Sequence, residues 1–345
     1  MSDIVMKGTP KGTKRPTFDI ITVGAATVDT FVRSKKFDYE RDAKAPEGFD
    51  AVFPMGSKIA LDDLAVRTGG GATNAAVTFR HMGLKTATVC RVGTDVFGDL
   101  IFNELNSHGI ATDYIQRDKT HGTAQSVVLL SGSGARSILT YRGASAHLDK
   151  RATPWSRIST RWFYVTSFGG DLGFFSLLLD CAERIGASVA WNPGGHELAK
   201  GIEKLAPLIR RIDILDVNRE EAAALADEPP RHLKQIIEKI GNLPKIGLLL
   251  SDGPKGAYLH TRCCTWYAPP LPAKPLNTTG AGDALGSGFV AGFIKTCDLS
   301  IGLKFGMLNA TNVITHMGAK AGLLTSLPNE RELKRVVIRP ARLHE

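Results

Sequence analysis

The chain has 345 residues, 43% of them hydrophobic and 22% charged, which suits one large or two ordinary globular domains and excludes a disordered polypeptide. A formal net charge of +9 suits a protein that handles phosphates, yet no interleaving of aromatic and basic residues points to a nucleic acid, and no window reaches the ~20 apolar residues of a membrane-spanning helix. The 5 cysteines lack a CxxC pair, the 9 histidines lack an HxxxH pair and the N-terminus lacks an apolar stretch, so a disulfide framework, structural zinc and export are all disfavoured and a cytoplasmic location is expected.

Residues 1–16 read as a polar tail. The run 18–24 (FDIITVG) predicts a buried strand closed by glycine. A charged stretch over 33–50 and short exposed strands over 51–68 follow. The spacing predicts a helix over 72–82, a strand over 86–92 and a helix over 96–108 stopped by Gly109. Segments 122–130 and 136–141 predict a hairpin around SGSG. Strands over 161–166, 188–191, 212–217 and 245–251 then alternate with helices over 173–185, 197–209, 219–226 and 231–240, although Gly201 and Pro207 interrupt the second of these helices. A hairpin over 256–267 precedes helices over 283–296 and 300–316. Adjacent Cys263 and Cys264 in that hairpin are expected to point to opposite faces. The basic stretch 331–345 reads as a solvated tail.

This beat predicts an α/β fold: a mostly parallel sheet covered by helices on both faces, one domain over about 17–330. The β segments near 30–68 and 110–145 break the beat and are expected to form a small lid sheet.

The strongest chemical signal is 277–290, NTTGAGDALGSGFV. Gly280, Ala281 and Gly282 form a turn of small residues that lets backbone N–H groups approach an anion at the start of a helix. Asp283 lies in the first helical turn, where a carboxylate can either cap the helix or accept the proton of an attacking hydroxyl. Far upstream, residues 69–76 (GGGATNAA) bring a second glycine run, with Gly70 and Gly71 beside Asn74, whose amide both donates and accepts. No glycine-rich loop ends in Lys-Ser/Thr, so a Walker-type phosphate loop is absent.

Both stretches resemble the two signatures of the ribokinase-like, phosphofructokinase-B type family of sugar and nucleoside kinases, in the right order, and the resemblance runs over about 18–328. It implies that Gly280, Ala281 and Gly282 form the anion hole and that Asp283 is the catalytic base. It further implies that Asp29, after Val23-Gly24, binds substrate hydroxyls together with Gly70, Gly71 and Asn74. Asn218 and Glu221 (NREE) resemble the NxxE motif, which implies that Glu221 helps hold Mg²⁺ through water. Ser251, Gly253 and Gly256 (SDGPKG) match the nucleotide loop, with Ser where Thr is commoner. The stretch Gly93-Thr94-Asp95 with Phe97-Gly98 resembles a motif read here as structural. ATP and Mg²⁺ are the implied cofactors. Many relatives bind K⁺ beside the anion hole where Asn277 stands here, and a neutral amide is a weaker cation ligand than their carboxylate.

The acceptor is less legible. Tyr141-Arg142 resembles a pair that meets the substrate in sugar-acid kinases, and Arg142 could hold a carboxylate through two hydrogen bonds. The expected activity is therefore transfer of phosphate from ATP to a hydroxyl of a small sugar or sugar acid. A nucleoside kinase is the alternative, requiring an aromatic slot from Phe31, Phe53 or Phe168. A ligand-binding regulator that kept the fold without catalysis is the second alternative. A homodimer through the lid is expected, because an open lid sheet has pairing edges.

Overall fold

The computed structural model describes residues 16–45, 48–130 and 136–343. The N-terminal tail expected over 1–16 falls outside these residues except for Pro16, as does the SGSG loop. The first half of the chain runs β1 (Phe18–Val23), β2 (Thr27–Arg33), β3 (Asp38–Arg41), β4 (Phe49–Val52), β5 (Asp63–Gly69), α1 (Gly71–His81), β6 (Thr86–Val89), β7 (Arg91–Gly93), α2 (Val96–Ser107), β8 (Gln116–Asp118), β9 (Ala124–Leu130) and β10 (Arg136–Tyr141). The second half alternates more regularly: β11 (Thr160–Val165), α3 (Leu172–Ile185), β12 (Ser188–Trp191), α4 (Gly195–Leu198), α5 (Ile202–Ile209), β13 (Ile214–Asn218), α6 (Arg219–Ala226), α7 (Leu233–Ile240) and β14 (Gly247–Ser251). Strands β15 (Ala257–Thr261) and β16 (Cys264–Ala268), helices α8 (Ala281–Thr296), α9 (Leu299–Val313) and α10 (Glu330–Leu333), and β17 (Arg339–Pro340) complete it.

Nine strands form the main sheet in the order β17-β16-β15-β14-β13-β12-β11-β1-β6. The six from β14 to β6 are parallel, and the last three are antiparallel additions at one edge. Period-two alternation divides their side chains between two cores. Phe163, Val165, Leu215 and Val217 face the layer that contains α3 and α5–α7. Trp162, Tyr164 and Ile214 face the layer that contains α1, α8 and α9. Helices α8 and α9 pack backbone to backbone: a Cβ on Gly292 would lie 2.9 Å from the Cα of Gly302, and one on Gly288 would lie 3.0 Å from that of Gly306.

A separate four-stranded sheet, β10-β9-β2-β5, forms the lid, with the β3–β4 hairpin beside it. The expected helix over 197–209 is two helices, because Gly201 takes φ 80 and opens α5 as its N-cap, while Pro207 is accommodated inside that second helix. The expected strand over 86–92 likewise divides into β6 and β7, with β7 leaving the main sheet to pair with β8. The basic C-terminal stretch does not run free: α10 contacts α9, Val336 is buried, and Arg339 and Pro340 pair with Tyr267 and Trp266. Cys263 lies in the β15–β16 turn, so its sulfur sits 3.2 Å from that of Cys264 rather than on the opposite face.

Candidate active site

The carboxyl ends of the parallel strands are where ligands bind in folds of this kind, and the sequence-selected residues gather there. Helix α8 starts at Gly280, whose backbone has φ 80 and ψ 1. A Cβ there would lie 2.5 Å from the Cβ of Ala319, so only glycine makes this turn. Asp171 and Asp298 cap α3 and α9 with their side chains, whereas no side chain caps α8. The N–H groups of its first turn are thus left for an external acceptor, at the positive end of a sixteen-residue helix. Space beside Gly282 is open, and the Thr279 hydroxyl is buried without a hydrogen-bond partner among the described residues. An open N-terminus with an unpaired hydroxyl beside it fits a polyphosphate.

Asp283 sits half-buried in that first turn and accepts a 2.8 Å hydrogen bond from Nδ2 of Asn74 on α1. The two glycine-rich stretches therefore meet in space. Burial pushes the Asp283 carboxyl above its ordinary range, the Asn74 bond pulls it back, the charge of Asp29 pushes it further up, and Lys320 opposes. Asp29, on β2 of the lid, is 8% exposed. Its carboxyl is also raised by burial, against hydrogen bonds from Ser126 and Thr27 and the charge of Lys320. Gly69 leaves room for it, since a Cβ there would lie 2.3 Å from its Oδ2. The Oδ1 of Asn74 is buried and has no hydrogen-bond partner among the described residues, an acceptor held beside Asp283.

Gly70 takes φ 93 and would meet the Ala25 carbonyl at 2.5 Å if it carried a Cβ, while Gly71 would meet the Thr166 side chain at 2.9 Å. Both glycines seat α1 against the β1 and β11 loops. Arg142 is exposed and lines a cavity with Thr27, Thr140, Tyr141, Ser167 and Gly169, on the side where the Thr27 hydroxyl donates to Asp29 at 3.4 Å.

Asn218 and Glu221 form a reciprocal cap on α6: Glu221 N–H donates to Asn218 Oδ1 at 2.8 Å, and Asn218 N–H donates to Glu221 Oε2 at 2.9 Å. The Glu221 carboxyl is raised by burial and, further, by the charges of Glu220 and Asp283. Ser251 is the β14 partner of Asn218, and Gly253 (φ 51) and Gly256 (φ 95) turn the loop that follows. Asn277 is buried; its Oδ1 accepts the Thr279 N–H at 2.9 Å and its amide nitrogen lies against the Met317 sulfur. Asp95 proves structural, capping α2 through Gly98 N–H and accepting both the N–H and the hydroxyl of Thr123.

Phe168 packs on Phe175 and Trp191 in the core, Phe53 packs edge-on against Phe37, and Phe31 is buried in the lid, so these rings serve packing rather than one common slot.

An acid beneath the site escaped the sequence reading. Asp216, at β13, is buried beneath α8 and accepts from the Tyr164 hydroxyl at 3.2 Å. Burial holds its carboxyl well above the usual range; Tyr164 opposes this, and the charges of Glu221 and Asp283 add to it. Among the described residues neither Asp216, Glu221 nor Asp283 forms an ion pair with Lys or Arg, and no cluster of three His, Cys, Asp or Glu side chains makes a ready metal cage. Of these carboxylates, Glu221, close enough to Asp283 to feel its charge, is the one that fits a divalent cation that keeps most of its water.

A model of the pfkB family of carbohydrate kinases matches residues 41–326. An ATP-dependent 6-phosphofructokinase from Thermoanaerobacterium thermosaccharolyticum is 25% identical over 319 residues, 88% of this chain and 89% of that protein. Among solved structures, Arabidopsis thaliana ribokinase complexed with ribose and ATP superposes with TM-score 0.73 and 21% identity, covering 93% of this chain and 98% of that one. A nucleoside kinase from Methanocaldococcus jannaschii superposes with TM-score 0.72 and 20% identity, covering 93% and 99%. At these identities the superpositions establish the ribokinase-like fold.

Proposed function

The chain belongs to the pfkB family of carbohydrate kinases, and from that premise we propose that it transfers the γ-phosphoryl group of ATP to a hydroxyl of a small sugar or sugar acid, with Asp283 as the base. The observation that carries this reading is the placement of Asp283: a carboxylate in the open first turn of α8, fixed by Asn74 and close enough to Asp29 to feel its charge.

The acceptor would lie between the two carboxylates, with Asp29 bridging neighbouring hydroxyls. Asn74 orients Asp283 and, through its Oδ1, can accept from the same sugar. Asp283 takes the hydroxyl proton as the oxygen attacks phosphorus in line, and the N–H groups of Gly280, Ala281, Gly282 and Asp283 hold the charge that gathers on the phosphoryl oxygens. Asn218, Ser251, Gly253 and Gly256 border the nucleotide. Mg²⁺, when bound, supplies positive charge to the phosphate oxygens, and Glu221 is the side chain that would hold it through water. Closure of the lid over the acceptor excludes water and limits hydrolysis of ATP.

Arg142 selects an acidic acceptor on this reading. Replacing it by Ala is expected to raise KM for sugar acids by about tenfold or more, the cost of one charge-assisted hydrogen bond, with KM for neutral sugars little changed; equal effects on both classes would remove Arg142 from the site. Leu64, Val66 and Leu139 lie on one face of the lid by strand register and remain exposed, and we assign that face to a second copy of the chain. Light scattering should give twice the chain mass, and Leu139→Lys should halve it.

ADP release from Mg·ATP over a panel of sugars, sugar acids, phosphosugars and nucleosides tests the function. A sugar or sugar acid should stimulate it most. A nucleoside as the best acceptor would replace the acceptor class, and silence throughout would favour a regulator that binds without catalysis.

A further inference from the structure

Lys320 lies in the segment 318–322 after α9, and its side chain is 9% exposed. Its ammonium donates to Glu104 Oε2 on α2 at 2.6 Å and to the Thr68 hydroxyl on β5 at 2.5 Å, and that hydroxyl also bonds Glu104. The same segment touches both halves of the site. Ala319 is the residue that closes over Gly280 at the start of α8, and Gly318 packs against the Arg67 side chain on β5. Thr68 immediately precedes Gly69, the position that leaves room for Asp29. A buried lysine is retained only where its charge is compensated, and here one partner compensates it while its field reaches Asp29 and Asp283.

We propose that Lys320 is a positioning residue for phosphoryl transfer: its ammonium, fixed by Glu104 and Thr68, ties lid strand β5 to the phosphate turn and supplies a positive charge to the side of the site that holds Asp29 and Asp283. The inference rests on Asp283 being the base.

The groups facing Lys320 are few. Burial pushes the Lys320 ammonium below its ordinary range and Glu104 on α2 holds it up, helped by Asp29 on β2 and Cys90 between β6 and β7; its own charge is felt at Asp283 on α8. Burial pushes the Cys90 thiol up to about 12, so it is neutral here; Arg117 on β8 opposes that shift weakly. Arg67 on β5 touches the neighbouring Gly318. The sign follows from burial holding Asp283 above its ordinary range: activity is present above that raised value and is lost as pH falls through it. Removing the Lys320 charge moves the point of loss to higher pH. Removing the Glu104 charge moves it to lower pH.

The test is the acid limb of the kcat/KM profile, read for Lys320→Met, Glu104→Gln and Lys320→Arg, with thermal melting to show that each variant is folded. Lys320→Met should raise the apparent pKa of that limb by about one unit, Glu104→Gln should lower it, and Lys320→Arg should leave it near the parent value. A purely mechanical latch would lower turnover in Lys320→Met and Glu104→Gln with the limb unmoved, and that result overturns the proposal. Should Lys320→Met fail to fold, Lys320→Gln decides, because it removes the charge while keeping a donor for Glu104 and Thr68: a limb that shifts up supports the proposal and an unmoved limb overturns it. An unmoved limb together with an inactive Asp283→Asn sinks this inference and leaves the base assignment intact; an active Asp283→Asn removes both.

Discussion

Asp283→Asn is expected to lower kcat on the order of 10²–10⁴-fold, the range that a positioned general base contributes, while the Kd for Mg·ATP changes little. Asn is nearly isosteric with Asp, and the backbone N–H groups that form the phosphate turn do not depend on the side chain. The amide can still pair with Asn74, whose Nδ2 now bonds Asp283 at 2.8 Å. What it cannot do is take a proton from an alcohol. Steady-state turnover with the best acceptor, alongside calorimetric titration of the nucleotide, separates chemistry from binding. Near-parent turnover would strip Asp283 of its role.

The second large effect concerns stability. Alanine in place of a glycine inside a helix ordinarily stabilises by about 1 kcal/mol. Gly286→Ala should reverse that sign and destabilise by about 1–3 kcal/mol, as overpacking does. The reason is local: a Cβ at Gly286 would lie 1.8 Å from Asp216 Oδ2 and 2.4 Å from the Tyr164 hydroxyl, both fixed in the main sheet. Helix α8 must then lift, and Asp283 lies one turn earlier on the same helix, so turnover falls as well. Asp216→Ser shortens the obstructing side chain and should recover much of the loss, which urea denaturation of the two single variants and the double variant measures as a coupling energy. A stabilised Gly286→Ala protein would mean that the carboxyl does not occupy this space.

Much of this arrangement was legible because it rests on local rules. The alternation of apolar strands and helices places the parallel sheet, and the turn at Gly280 and the acidic residue after it can be read without coordinates. The meeting of Asn74 with Asp283 could be expected from two glycine-rich stretches only once their resemblance was recognised, since no local rule joins residues so distant in sequence. Asp216 was hidden for a different reason. It lies within a run, 212–217, that also holds Asp213 and reads as one strand, and only the register of β13, with α8 above it, turns this acid into a buried neighbour of Tyr164 and Gly286. The available signal was the charge itself, a carboxylate flanked by Leu215 and Val217. Lys320 was hidden likewise: a single lysine among small residues reads as surface, and its partners Thr68 and Glu104 come from the other end of the chain. The C-terminal stretch was misjudged by its charges, because the short apolar run Val336-Val337-Ile338, whose buried Val336 anchors it, is flanked on both sides by basic residues.

The central claim is spatial, that main-chain amides at the start of α8 grip the transferring phosphate while Asp283 faces the attacking alcohol. A crystal structure with a non-hydrolysable ATP analogue and the best acceptor tests it most directly. The expected result places the γ-phosphate against the N–H groups of residues 280–283 and an acceptor hydroxyl within about 2.6–3.2 Å of the Asp283 carboxylate. An acceptor seated with no hydroxyl near Asp283, or a γ-phosphate held away from the α8 N-terminus, would contradict it.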